Sequence, residues 1–190
     1  MKALSVLTAA ALAVSGNLAM AQDKAALAEE GKALMQEFGG ALKAELQAAM
    51  KSGGPVDAIA VCNVKAPMIA EKVSKESGWT VARSSHKLRN PKNAPDDYTA
   101  AAIEEFLKRQ ESGEKADQLV KAEIVEEDGQ QVFRMVKAIP TGEVCLACHG
   151  GDNVEPPVVE ALAELYPEDK ARGFEMGQMR GVFTLRKPLN

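Results

Sequence analysis

Cysteine is scarce in this chain, with three in 190 residues. An odd count excludes a framework built only of disulfides, because one thiol is left over. Basic residues are in the minority, 23 Lys and Arg against 27 Asp and Glu, for a net charge of −4. That balance argues against nucleic acid or an anionic lipid surface as a partner. Long apolar runs are missing too. The best candidate, "ALSVLTAAALAV" near the N-terminus, is well short of the roughly 20 residues that span a bilayer. Internal repeats are absent, and so is the alternating βαβ pattern of a parallel sheet.

What is present begins with an export signal. Lys2 supplies a minimal basic region, the apolar run follows, and Ala19-Met20-Ala21 forms an A-x-A cleavage site before Gln22. No cysteine lies at that point to carry a lipid. The sequence predicts a signal peptide over 1–21 and a single domain over 22–190, exported to the periplasm, soluble, and not inserted in the membrane after cleavage. The alternative is an uncleaved anchor. Cleavage leaves 169 residues and a net charge of −5, enough chain for one domain with its own core.

Residues 24–50 are rich in Ala, Leu, Glu and Lys. Apolar residues recur at helical spacing (Leu27, Leu34, Phe38, Leu42, Leu46, Met50), which predicts one long helix, loosened at Gly39-Gly40 and broken by "KSGGP". A second helix is expected from about Val56 to Ser74, with Ile59, Cys62, Ala66, Ile69 and Val73 on one face. Pro67 cannot donate to the carbonyl of Asn63, so a kink is expected just after Cys62. "GWTVARSS" alternates as a strand, "RNPKNAP" reads as a rigid loop, and Pro95 opens a third helix ending near Gly113. Leu119–Glu126 and Gln131–Ile139 flank Asp128-Gly129, the signature of a type I′ hairpin. A two-residue turn sets Ile124 opposite Phe133, Ala122 opposite Met135 and Glu123 opposite Arg134, an apolar face backed by a charge pair. A short helix over Pro157–Tyr166 and a last strand over 180–188 complete the pattern. The expected fold is α+β, an antiparallel sheet with helices on one side and at the N-terminus; a four-helix cytochrome is the alternative.

"EVCLACHG" holds the chemistry. Cys145-Leu146-Ala147-Cys148-His149 matches the C-x-x-C-H attachment sequence of c-type haem. Two thiols at this spacing reach the two vinyl groups of the porphyrin, and the adjacent imidazole falls under the iron. Such attachment takes place outside the cytoplasm, in agreement with the leader. Competing readings are a zinc site drawing on Cys62, Cys145, Cys148 and a histidine, a thioredoxin-like redox pair, and a plain disulfide.

Four stretches together extend this reading: "VCNVKAPMIA" (61–70), "GWTVARSSHKLRNPKNAPDDY" (78–98), the C-x-x-C-H, and "YPEDKARGFEMGQMRG" (166–181). With them the chain resembles the Tll0287-like haem domain family over essentially all of its mature length. The resemblance implies a PAS-like fold and one covalently attached haem c. The family pattern continues P-D-x-W where this chain has Tyr98.

The residues alone leave Cys62 open between a small buried hydrophobe and an iron ligand; the resemblance implies a cysteine here as distal ligand opposite His149. His86, the only other imidazole, is expected in a polar loop at the surface, while Met176 and Met179 are further possible donors. Haem propionates need cations or donors. Arg83, Lys87, Arg89 and Asn90, within eight residues of one another, are the candidates, with Arg180 a weaker one; an ordinary basic loop is the alternative. The expected role is a periplasmic redox or small-ligand (NO or CO) sensor read by a separate redox or signalling protein. Soluble electron transfer is the alternative. No enzyme is expected, since no distal His and Arg pair for O–O cleavage is visible.

Overall fold

The computed structural model describes the backbone of residues 9–189 and side-chain surroundings from residue 23 onward. The first eight residues of the expected leader lie outside the described residues.

Helix α1 spans Ala9–Ala60 and is interrupted once, at Gly54 (φ 77°, ψ −168°), after which Pro55 restarts it. Only glycine takes that backbone conformation without strain, so "KSGGP" breaks the helix where the sequence predicts. The expected loosening at Gly39-Gly40 is not found. Phe38 is buried and meets the Phe183 ring edge to face at 5.7 Å, and this packing carries α1 through both glycines.

The kink after Cys62 takes a defined form. Val61–Lys65 is a π-helical turn in which the Ala66 N–H donates to Val61 O, five residues back. Pro67 offers no N–H to Asn63, and the widened turn absorbs the missing bond. Helix α2 (Ala66–Ser77) follows and ends at Gly78 in the left-handed region.

Four strands, β1 (Thr80–Ser84), β2 (Val120–Glu127), β3 (Gln130–Pro140) and β4 (Met179–Pro188), form one antiparallel sheet in the order β1-β4-β3-β2. The β2–β3 register pairs Ile124 with Phe133, Ala122 with Met135 and Glu123 with Arg134, as expected. Asp128 (φ 52°) and Gly129 (φ 78°) make the turn. A sheet with this hairpin excludes the four-helix cytochrome.

Helices lie on both faces of the sheet, which corrects the one-sided arrangement expected from sequence. On one face Met35, Phe38 and Val73 from α1 and α2 pack on Trp79, Val81, Phe133, Met135 and Leu185. On the other, α3 (Asp97–Glu111) places Ala102, Ile103 and Phe106 on Val136, Ala138 and Val182. Asp96 caps α3 by accepting from Thr99 N at 2.8 Å, so the helix starts two residues after Pro95.

Arg134 therefore does not sit on a solvated face paired with Glu123. It is 3% exposed and bonds Glu127 and Asp96, each at 2.6 Å, beneath the Tyr98 ring. A charge this deep requires such partners. Against the opposing effect of burial, hydrogen bonds from Thr99 and Arg134 hold the Asp96 carboxyl below its usual range. Tyr98 covers this network. Short helices α4 (Glu143–His149) and α5 (Pro156–Leu165) lie between β3 and β4 in sequence.

The sheet is tightest where β4 passes the end of β1. A Cβ on Gly181 would lie 2.5 Å from the carbonyl oxygen of Ser84. Backbone cannot yield there as a flexible side chain would, so Gly181→Ala is expected to cost about 1–3 kcal/mol. Chemical denaturation reads this directly; an unchanged midpoint would mean that β1 is not held as close as described.

Candidate functional site

The end of β3 sets the site. Past Pro140 the chain is tied back to the segment entering β4, with Thr141 donating through both N–H and Oγ1 to Gln178 O at 2.8 and 2.9 Å. Gly142 then opens α4. In a helix, positions three apart share a face, so Cys145 and Cys148 present their thiols together. All three cysteines are free, so the plain disulfide is not formed. Burial pushes the Cys148 thiol up.

His149 closes α4 with its ring already committed on one side. Nδ1 lies 2.8 Å from the carbonyl oxygen of Ala171. A carbonyl only accepts, so Nδ1 carries the hydrogen and Nε2 keeps its lone pair. Burial, then the nearby Arg180 and Arg89 guanidiniums, hold this imidazole well below its ordinary value. It is neutral, the form that binds a metal.

Cys62, Cys145, Cys148 and His149 all line one cavity of about 330 Å³. Its apolar wall is the stripe of α1 carrying Leu42, Leu46 and Met50, with Ile59 and Phe183. Cys62 reaches it from the π turn, so the proline that widens the helix also aims the thiol. The volume lies within the usual range for small-molecule and cofactor sites.

Two guanidiniums line the same cavity. Arg83 and Arg180 are partly buried, and neither forms an ion pair among the described residues. Burial, then the proximity of Arg180, brings Arg83 down to about 10; both remain charged at neutral pH. Two like charges facing one cavity favour an anion between them. Arg180 was undervalued in sequence because it is the extra residue of a β-bulge: Ile139 pairs with Gly181 and Pro140 with Met179, leaving Arg180 unpaired. Bulges re-aim side chains beside sites, and strand alternation does not reveal them.

The other expected propionate partners divide. Arg89 lines the cavity, but its Nη2 is engaged by Cys148 O at 2.7 Å and by Asp169 at 3.0 Å. Lys87 turns to the Arg172 carbonyl at 3.3 Å and the Phe174 ring, and Asn90 caps the 3₁₀ turn at Pro91–Asn93 by accepting from Lys92 N. These two do not line the cavity that holds Cys145 but line a smaller one that shares Cys62, Arg83, Arg89, His149 and Arg180 with it. His86 is exposed, as expected. Met176 is 60% exposed, and Met179 packs in the core on the α3 side of the sheet; neither lines the cavity. Among the described residues no three His, Cys, Asp or Glu side chains converge as a metal site would require, so the zinc reading lacks its ligand cluster.

An antiparallel sheet enclosed by helices, with a cysteine and histidine pocket of cofactor size where the sheet ends, defines an α+β domain. A family model described as Tll0287-like matches residues 8–188. The chain belongs to the Tll0287-like family. A solved structure, the crystal structure of the cyanobacterial heme-protein Tll0287, is similar at a TM-score of 0.62 and 24% identity, over 89% of this chain and 96% of that one. No curated protein matches. Among the described residues no helix is long and apolar enough to cross a membrane.

Proposed function

We propose that this chain is an exported c-type haem protein that acts as a redox or small-ligand sensor rather than as an enzyme. Cys145 and Cys148 would attach one haem, and His149 and Cys62 would ligate its iron. The observation that carries the reading is the state of His149: Nδ1 is used by a carbonyl and Nε2 is free, on a ring that lines the same cavity as both thiols and Cys62. The unpaired Arg83 and Arg180 suit the two propionates, and the stripe of α1 suits the porphyrin's apolar surface. The described heme-protein of similar fold supports the same cofactor. Haem in this cavity would supply a one-electron centre whose potential follows its axial donors.

The residues of this chain then divide the work. His149 is held neutral and oriented. Bound as a thiolate, Cys62 would favour the oxidised state and would bind less well once reduction lowers the positive charge it faces. The π turn that carries it is the element that would relax to let NO or CO bind in its place. A separate redox or signalling protein reads the change; the acidic chain has no use for nucleic acid.

Cys62→Ala tests the assignment. Haem should remain covalently attached, the low-spin thiolate signature should vanish, cyanide or imidazole should bind more readily, and the potential should rise. If Cys62 only packs, the substitution costs about 1 kcal/mol through a small cavity and leaves the electron paramagnetic resonance spectrum unchanged. Electron transfer has one observation in its favour, the 36% exposure of Val144 beside the cavity, where a haem edge could be reached. Identical ligation in both redox states would favour that reading.

A further inference from the structure

The irregular segment over residues 169–174 is fastened along the motif that carries His149. Lys170 N donates to Leu88 O at 2.8 Å, Gly173 N to Gly150 O at 2.9 Å and Phe174 N to His149 O at 3.0 Å. Within this strap lies a nearly buried ion pair, Arg89–Asp169 at 3.0 Å, with side chains 10% and 9% exposed. Both partners grip the peptide that holds the histidine. Asp169 Oδ1 accepts from Ala171 N at 2.8 Å, and Arg89 Nη2 donates to Ala171 O at 3.2 Å, the oxygen that accepts from His149 Nδ1. The same Nη2 ties down Cys148 O at 2.7 Å. Arg89 Nε is buried without a partner.

We propose that Arg89 and Asp169 are a positioning pair for His149, fixing the ring through the Ala171 carbonyl and setting how strongly that ring donates to iron. The proposal rests on the reading of His149 as an iron ligand. A histidine ligand usually donates its second ring N–H to a carbonyl or carboxylate, and the stronger that acceptor, the more basic the ligand. Here the acceptor is shared. The guanidinium draws on the same oxygen, so it tempers the push on His149. Asp169 does the opposite: it balances the buried cation and holds the Ala171 peptide in line. A buried pair of this kind is justified by geometry more than by stability, since desolvation consumes much of its attraction.

Opposite roles predict opposite effects, which a merely structural pair would not show. In the full chain with haem attached, Arg89→Lys keeps the charge but its shorter side chain loses the Nη2 that reaches both Cys148 O and Ala171 O. His149 then donates more strongly, and the ferric-to-ferrous ratio at a given potential should rise about tenfold, a fall of about 59 mV for a one-electron couple. Asp169→Asn leaves the cation unbalanced beside the ligand, so the potential should rise by a similar step. In the full chain without haem, nitrogen NMR should find His149 wholly in the Nδ1–H tautomer in the wild type and mixed between tautomers in Asp169→Asn.

Unchanged potentials, or shifts of the same sign in both variants that track lost melting temperature, would overturn the proposal. So would an unaltered tautomer in Asp169→Asn. If the wild-type chain takes up no haem, the haem reading itself fails, and the tautomer measurement still decides whether the pair holds the ring. Glu114→Gln, which breaks the Arg109 ion pair at the end of α3, serves as the control and should move neither readout.

Discussion

Chain matured with haem-attachment machinery should weigh one haem more than its polypeptide and keep that mass through acid–acetone extraction, whereas Cys145→Ala with Cys148→Ala should retain none. The effect is all or none because two thioether bonds are the only covalent route open to these side chains. Helix α4 places both sulfurs on one face, with His149 next in sequence and on the same cavity. Each bond would form by addition of a thiol across a vinyl group, sulfur to one carbon and hydrogen to the other, so no oxidant would be needed. Single replacements should each leave one bond and an extractable minor fraction. Metal analysis finding one zinc and no iron would sink the haem reading outright.

The second large effect is on stability. Phe133→Ala should lower the free energy of unfolding by about 3–5 kcal/mol, a sizeable share of the roughly 5–15 kcal/mol typical of a domain. Phe133 is fully buried and meets Trp79 edge to face at 5.7 Å, in the cluster that joins α1 and α2 to the sheet. Removing the ring opens a cavity that β3, bonded on both sides by β2 and β4, cannot close by shifting. Trp79 is the chain's single tryptophan, and its Nε1 donates to Glu30 at 2.8 Å. Its fluorescence therefore reports the joint between helix and sheet. The urea midpoint should fall with the slope unchanged; a loss below about 1 kcal/mol would mean that this face is not core.

Some features were legible because neighbours in sequence decide them. Asp128-Gly129 dictates a two-residue turn, and the turn dictates every pair of the hairpin down to Glu123 and Arg134. Pro67 dictates a fault one turn earlier, although sequence does not say that the fault is a π turn. The C-x-x-C-H motif is local as well, and so is the helical phase that turns Cys62 inward.

Other features were misread where distant chain intervenes. The register of Arg134 was right and its environment was wrong, because α3, more than 20 residues upstream in the chain, folds over that face and supplies Asp96. The run from Arg83 to Asn90 reads as one basic cluster and its members do line one cavity with Cys62 and His149, yet each also turns elsewhere. Arg83 turns to the larger cavity, Lys87 to Phe174, Asn90 to its own turn, and Arg89 to Asp169. Nothing in the sequence linked Ala171 to His149.

By itself, then, the sequence determined most of the elements, the hairpin register, the break at Gly54, and the spacing of the thiols and imidazole now on α4, since each follows from torsional preferences and spacing within a few residues. Tertiary structure alone decided that helices cover both faces, that the bulge turns Arg180 into the cavity beside Arg83, and that Arg89 is spent on Asp169 and the Ala171 carbonyl. Those outcomes depend on which buried charge finds a partner across the fold, and burial makes an unpartnered charge too costly for sequence proximity to prevail.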